Sequence, residues 1–167
     1  MEYLVGDKVV HPGYGPGLIA GIEQQQLVDG PKTYYVIHMV AKGLTVHIPV
    51  LKAEQAGVRP AMSLSSFPEV LSTLRSRPRR LSDDHRLRQE QVGAKIKTGL
   101  VLQLARIVRD LTWRGARAHL TRGDSEFLKQ GQQLLAAEMA LVSGGQVSDS
   151  SKLIASTLAA AVASLSS

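Results

Sequence analysis

No cysteine occurs among the 167 residues. Disulfide staples, thiolate zinc sites and a thiol nucleophile are therefore ruled out, and the composition fits a reducing compartment. Aromatic residues are scarce at 4%, with Trp113 the single tryptophan, so any exposed aromatic carries information. No apolar run approaches the ~20 residues that a membrane-spanning helix needs. The most apolar tail stretch, residues 158–165, is short and rich in Ala and Ser, so no membrane association is expected. Met1 to Lys8 lacks a basic stretch followed by an apolar core, so no secretory signal is read there. Catalytic patterns are missing too. His11, His38, His47, His85 and His119 form no i,i+4 pair and no HExxH spacing, so no metal site is expected. Gly13 to Gly17 is glycine-rich, but it lacks the lysine of a phosphate-binding loop, and a strand rather than a helix is expected after it. Glu23, Glu54 and Glu138 are isolated from other carboxylates in sequence. The chain reads as non-enzymatic, with no cofactor.

What the chain does have is an uneven distribution of charge. Thirteen of its 20 Lys and Arg residues fall between Arg75 and Arg122, against four acids, for a local net charge of +9. The first 60 residues carry five charges of each sign, and residues 123–167 net −2. A basic stripe on one part of a protein points to a polyanion, most often nucleic acid. A solvated helical surface is the plainer alternative.

Residues 1–60 have the alternation and turn chemistry of β-structure. Val9 to His11 is a short apolar run, and Pro12 to Gly17, with three glycines and two prolines, is expected to be a connection outside any strand. Leu18 to Ile22, Thr33 to Val40 and Leu44 to Val50 read as further strands, separated by Asp29-Gly30-Pro31 and Lys42-Gly43. In the last of these, Thr45 and His47 form a wet face and Leu44, Val46 and Ile48 a dry one. From about Ser63 the period becomes helical. Ser66, Pro68 and Glu69 suggest a helix start with a capping box, running to about Leu74. Arg75 to Leu81 reads as a linker, and Ser82 with Asp83 and Asp84 can open a second helix to about Lys97. Leu100, Leu104, Ile107, Val108 and Leu111 make one apolar stripe. Thr121 with Asp124 caps the next helix, which Gly144-Gly145 ends, and a last helix starts at Ser148. The expected fold is α+β: a bent β-sheet or small barrel at 1–60, a hinge near 53–65, and an all-α bundle of four to five short helices over 61–167. Two roles are open to Trp113, a plate stacked on a base or a plug against a neighbouring helix. Its position about 200° around the helix from Leu111 favours partial burial.

Several short stretches together resemble one family. Gly6-Asp7-Lys8-Val9-Val10-His11-Pro12-Gly13-Tyr14-Gly15 resembles the "GDxVVYPxHG" opening of the bacterial CarD/CdnL transcription regulators, a module also found in transcription-repair coupling factors. Leu44 to Pro49 with Ala56 to Arg59 resembles that family's "LTVRVP…VGVR". Ala105 to Leu111 resembles its "AEVVRDL", and Ala136 to Ala140 its "LVGELA". The resemblance implies a Tudor-like β-domain that binds the β subunit of bacterial RNA polymerase, here through Gln24, Gln25, Gln26 and Leu27 and through Thr45, Val46, His47, Ile48 and Pro49. It further implies a helical domain that contacts promoter DNA in the minor groove at the fork junction of the melted region, here through Arg79, Arg80, His85, Arg86 and Arg88. The family's wedge tryptophan falls on His85, its strand arginine on His47, and a basic strand position on Gln25. A monomer with a cytoplasmic, nucleoid-associated location is expected. A polymerase-binding adaptor without the DNA wedge and a general RNA-binding module are the competing readings.

Overall fold

Five antiparallel strands followed by five α-helices make up the computed structural model, which describes residues 2–166. The strands are β1 (Lys8–His11), β2 (Gly15–Leu27), β3 (Gly30–Met39), β4 (Thr45–Pro49) and β5 (Arg59–Pro60). They form one open sheet in the order β4-β3-β2-β1-β5 rather than a closed barrel. Alternation sets its buried face. Val9, Ile19, Tyr35, Ile37, Met39 and Ile48 point to one side and pack with Tyr3, Ala53 and Val58. Each such side chain contributes roughly 1.5–3 kcal/mol by leaving water.

The strands depart from the sequence expectation in three places. Gly15, Pro16 and Gly17, expected in a connection, open β2 and pair with His11, Val10 and Val9. Glycine makes this possible, because at Gly17 a Cβ would lie 2.8 Å from Ile37 and 2.9 Å from Met39. β2 is also longer than expected, and a register shift between Ile19 and Gly21 carries it past a bulge at Ala20. Leu44, expected on the dry face, precedes β4 and stays 46% exposed.

The helices are α1 (Phe67–Arg75), α2 (His85–Lys97), α3 (Val101–Arg117), α4 (Arg122–Ser143) and α5 (Val147–Ser166). α1 lacks its expected capping box. A short 3-10 turn, Leu64–Ser66, leads into it, so Ser66 is already helical and its side chain caps nothing. α2 is capped by Asp84, whose carboxylate accepts from the amides of Arg86 and Leu87. The Thr121/Asp124 box forms as the sequence suggests, and Gly144 ends α4 in the left-handed conformation. α3 is the central helix. One side packs with α1, α4 and α5 around Val70, Leu74, Val108, Leu135, Met139 and Ile154. Another packs with α2 through Val92, Ile96, Leu104, Ile107 and Leu111.

Arg59 joins the sheet to the helices. Its guanidinium donates to both carboxylate oxygens of Glu138 at 2.9 and 2.6 Å, and to the Gly99 carbonyl at 3.0 and 2.6 Å. The Met62 amide donates to the same carboxylate at 2.8 Å. Gly99 has φ +67°, and a Cβ there would stand 3.1 Å from the Cα of Pro12. The turn before α3 therefore sits directly against the loop after β1.

Candidate functional site

Two surfaces emerge from this arrangement. The first belongs to the sheet. β4 pairs only with β3, so its outer edge keeps unpaired backbone groups. Beyond β1 and β4, β2 and β3 continue as a two-stranded arm in which Gln24 to Leu27 face Thr33 to Gly30. Residues opposite one another on adjacent strands share a face. The register therefore groups Gln25, Glu23, Tyr34, Lys32 and His47 on the outer side. Glu23 and His47 approach to 3.6 Å, and the Lys32 ammonium lies 6.0 Å from the Tyr34 ring centre. The structure thus brings the two sequence-derived segments, 24–27 and 45–49, onto neighbouring parts of one sheet. Gln24, Gln25, Gln26, Leu27, Thr45 and His47 are exposed, and Val46 and Pro49 are half-buried. Ile48 is the exception. Its side chain lies in the sheet core, so only its backbone is open to a partner.

The second surface is basic. Arg79 and Arg80 are exposed in the connection between α1 and α2. His85 is the first residue of α2, and it and Arg86 are exposed as well. Arg88, grouped with them on the sequence, points the other way and is 2% exposed. Its Nε and one Nη donate to the two oxygens of Asp124, both at 2.9 Å, and the other Nη donates to the Ser82 carbonyl at 2.8 Å. Gln89 and the Thr121 amide also donate to Asp124. Burial raises the Asp124 pKa, but the hydrogen bonds from Arg88 and Thr121 outweigh it and hold the carboxyl below its ordinary value. The same bonds raise the Arg88 pKa against its own desolvation. Arg88 is thus a strut between α2 and α4 and is not offered to a solvent-side ligand. Charge counting missed this because Asp124 lies 36 residues away and its local role, the capping box, already explained it.

Arg109 is likewise internal. It donates to Asp110 at 2.8 Å and to Ser76 at 2.7 Å, while Asp110 accepts the Arg79 amide at 2.9 Å. This network fixes the arginine-rich connection against α3. Trp113 on α3 is half-buried, and the Arg117 guanidinium lies 5.2 Å from its ring centre. Arg79, Arg80, Arg114 and Arg117 surround the indole along one cleft. Asp83 accepts from Arg80 at 3.0 Å and from Arg114 at 3.3 Å. The Arg114 hydrogen bond, followed by the charge of Arg80, holds the Asp83 carboxyl below its ordinary value. The ingredients of this cleft are scattered over Arg79 to Arg117 in the sequence, and only the packing of the connection on α3 gathers them.

Elsewhere, His11 is half-buried and its Nδ1 accepts from the Gly13 and Tyr14 amides at 2.9 and 3.1 Å. Burial lowers its pKa. Among the described residues no group of His, Asp or Glu has the makings of a metal site, and no helix is long and apolar enough to cross a membrane.

Comparison with known proteins matches the sheet-forming and the helical parts of the chain to one family. Residues 3–62 match the family model described as the CarD-like/TRCF RID domain, a module that interacts with RNA polymerase. Residues 69–155, more than half of the chain, match the model of the CarD C-terminal domain. A Bacillus subtilis (strain 168) protein named "Putative transcription factor YdeB" is 26% identical over 142 residues, covering 85% of this chain and 93% of that one. With the two models falling in order on the sheet and on the helices, this chain belongs to the CarD family.

Proposed function

We propose that this chain is a non-enzymatic transcription regulator. It docks on the β subunit of a bacterial RNA polymerase through the outer face of the β2–β3 arm and the free edge of β4, and it meets promoter DNA at the upstream edge of the melted region through Arg79, Arg80, His85 and Arg86. The observation that carries this reading is the polarity of the molecule. An open sheet with an unpaired edge is locked, through Arg59 and Glu138, to a helical body whose exposed arginines gather around the α1–α2 connection. An unpaired edge supports strand addition, in which backbone hydrogen bonds supply affinity and side chains are free to vary. Exposed guanidinium groups supply phosphate contacts that position without reading sequence. No bond is made or broken. The protein would shift the equilibrium between closed and open promoter complexes by binding the open one better.

The test is the lifetime of the open complex formed by the cognate polymerase. Wild-type protein should lengthen it, and His85→Ala or Arg86→Glu should shorten that effect while leaving polymerase binding intact. Charge reversal at Arg86 should also make the salt dependence of DNA affinity shallower by about one to two units of slope. The adaptor reading draws on one observation, that Arg88 is taken up internally and so removes one cation from the proposed DNA surface. It expects no change in open-complex lifetime from any of these variants.

A further inference from the structure

The cleft around Trp113 has features that a general phosphate-binding face does not need. Its first compartment, ≈ 110 Å³, is walled by Arg79, Arg80, Asp83, Trp113, Arg114 and Arg117. A wider depression of ≈ 430 Å³ continues past Trp113 to Arg77, Pro78 and Leu165. The two spaces share Arg80, Trp113 and Arg117, so a phosphate in one and a flat ring in the other would be neighbours. Its walls are set in advance, because Asp110 holds the Arg79 amide and Arg109 holds Ser76, so ordering the loop costs a ligand little. Among the described residues no carboxylate pairs with Arg77, Arg79 or Arg117. Two acids line the cleft: Asp110 is buried and taken up by Arg109 and the Arg79 amide, while Asp83 lies between Arg80 and Arg114 with its side chain 70% exposed, so a carboxylate occupies the place where two guanidinium groups converge. Trp113, under Arg117, adds an aromatic plate that a bare phosphate cannot use but a nucleobase can.

We propose that this cleft binds one unpaired nucleotide of a DNA single strand: the base stacks on Trp113 as Arg117 swings aside, and the adjoining phosphate replaces the Asp83 carboxylate between Arg80 and Arg114. The proposal rests on the nucleic-acid part of the reading above and adds strand state to it. Base pairing would hide the face that the indole needs, so the site selects single-stranded over duplex DNA. Asp83 acts as a resident competitor that keeps the arginines converged when the site is empty.

The full chain supplies its own probe, since Trp113 is its only tryptophan and its emission reports on this cleft alone. Emission is followed while adding a mixed-sequence single-stranded DNA, the same sequence as duplex, its RNA counterpart, and thymidine monophosphate. Binding of a labelled single strand by anisotropy is compared for wild type, Trp113→Phe, Arg117→Gln and Asp83→Asn, with circular dichroism confirming the fold of each. The expected result is quenching by the DNA single strand at concentrations at least tenfold below those needed for duplex, RNA or mononucleotide. Trp113→Phe and Arg117→Gln should weaken binding several-fold, and Asp83→Asn should tighten it, which a merely structural Asp83 would not do. Equal or stronger quenching by duplex, RNA or mononucleotide would overturn the proposal, and so would an Asp83→Asn variant with unchanged or weaker affinity. If fork DNA binds in a manner sensitive to His85 and Arg86 while Trp113 emission stays constant, this inference alone fails. If no DNA binds in any form, the wider reading fails with it.

Discussion

Removing the Arg88 side chain should destabilise the protein severely and leave its exposed basic surface unaltered. Arg88 and Asp124 are 2% and 0% exposed, and the guanidinium makes two parallel bonds of 2.9 Å to the carboxylate. Arg88→Ala would leave Asp124 buried and ionised with only the Gln89 side chain and the Thr121 amide donating to its carboxylate. Breaking a buried pair from one side typically costs about 3–5 kcal/mol. Total stabilities are typically about 5–15 kcal/mol, so this is a large fraction. For a chain of this size the loss corresponds to a fall in Tm of roughly 6–20 °C. Urea unfolding, followed by circular dichroism and by Trp113 emission, would measure it. Removing both charges, as in Arg88→Met with Asp124→Leu, should recover part of the loss, because the desolvation penalty disappears along with the attraction while the Thr121 amide and the Ser82 carbonyl lose their partners. The pair's contribution is fully present above the ordinary Asp value of 3.8 and is lost as pH falls through the lowered folded value. A single variant within 1 kcal/mol of wild type, or one that loses DNA affinity at unchanged stability, would refute the reasoning and return Arg88 to the proposed DNA-contacting set.

The other expectations follow from single positions. Arg59→Ala strands Glu138, which is 1% exposed, and should cost about 3 kcal/mol or more in the same urea experiment. Gly99→Ala places an L-residue at φ +67° with its Cβ 3.1 Å from Pro12, so it should lose more than the about 1–2 kcal/mol that backbone handedness alone costs. Gly43→Ala, at φ +61° in open space, should lose only that backbone cost, and equal melting temperatures for the two variants would refute the contact at Gly99. Because burial lowers the His11 pKa and its Nδ1 accepts two amides, stability should be full above the ordinary value of 6.5 and fall as pH drops through the folded value. His11→Ala should be less stable at pH 8 and show a flatter pH dependence between 7 and 5; an unchanged slope would sink the assignment.

Local chemistry is what the sequence could convey. The Thr121/Asp124 box, the Gly144 stop and the α3 stripe are encoded within a few residues of where they act; the first two form as read, and the stripe is buried at Leu104, Ile107, Val108 and Leu111, while Leu100 caps the helix and stays 48% exposed. The failures are places where a distant neighbour decides. Gly15 to Gly17 look like a turn until β1 pairs with them and β3 packs close against Gly17. Ser66 looks like a cap until Ser63, through its hydroxyl contacts to Ser65 and Ser66, supports a 3-10 turn before it. Arginine is the hardest case. Arg86 and Arg88 differ by two positions, which on a helix is about 200°, and that rotation separates a solvated cation from a buried one. Glu138, isolated from other carboxylates in sequence, anchors Arg59 and Met62. No local pattern could reveal that contact, because 79 residues separate Glu138 from Arg59.

The buried ion pairs explain how a chain with this much arginine presents a defined basic surface. Glu138, Asp124 and Asp110 each neutralise one arginine inside, namely Arg59, Arg88 and Arg109. Each pair also fixes a different joint: sheet to α4, α2 to α4, and the α1–α2 connection to α3. Such pairs add little net stability over apolar replacements, so their effect lies in geometry: a guanidinium fork demands one orientation where leucine would accept several. Three joints held this way leave the outer arginines few ways to move relative to the sheet. A polymerase bound at the β4 edge would then determine where those arginines stand on the DNA. Apolar substitution of the Arg59/Glu138 pair should therefore preserve the melting temperature better than it preserves any effect on open-complex lifetime, because the fold survives the exchange and the fixed angle does not.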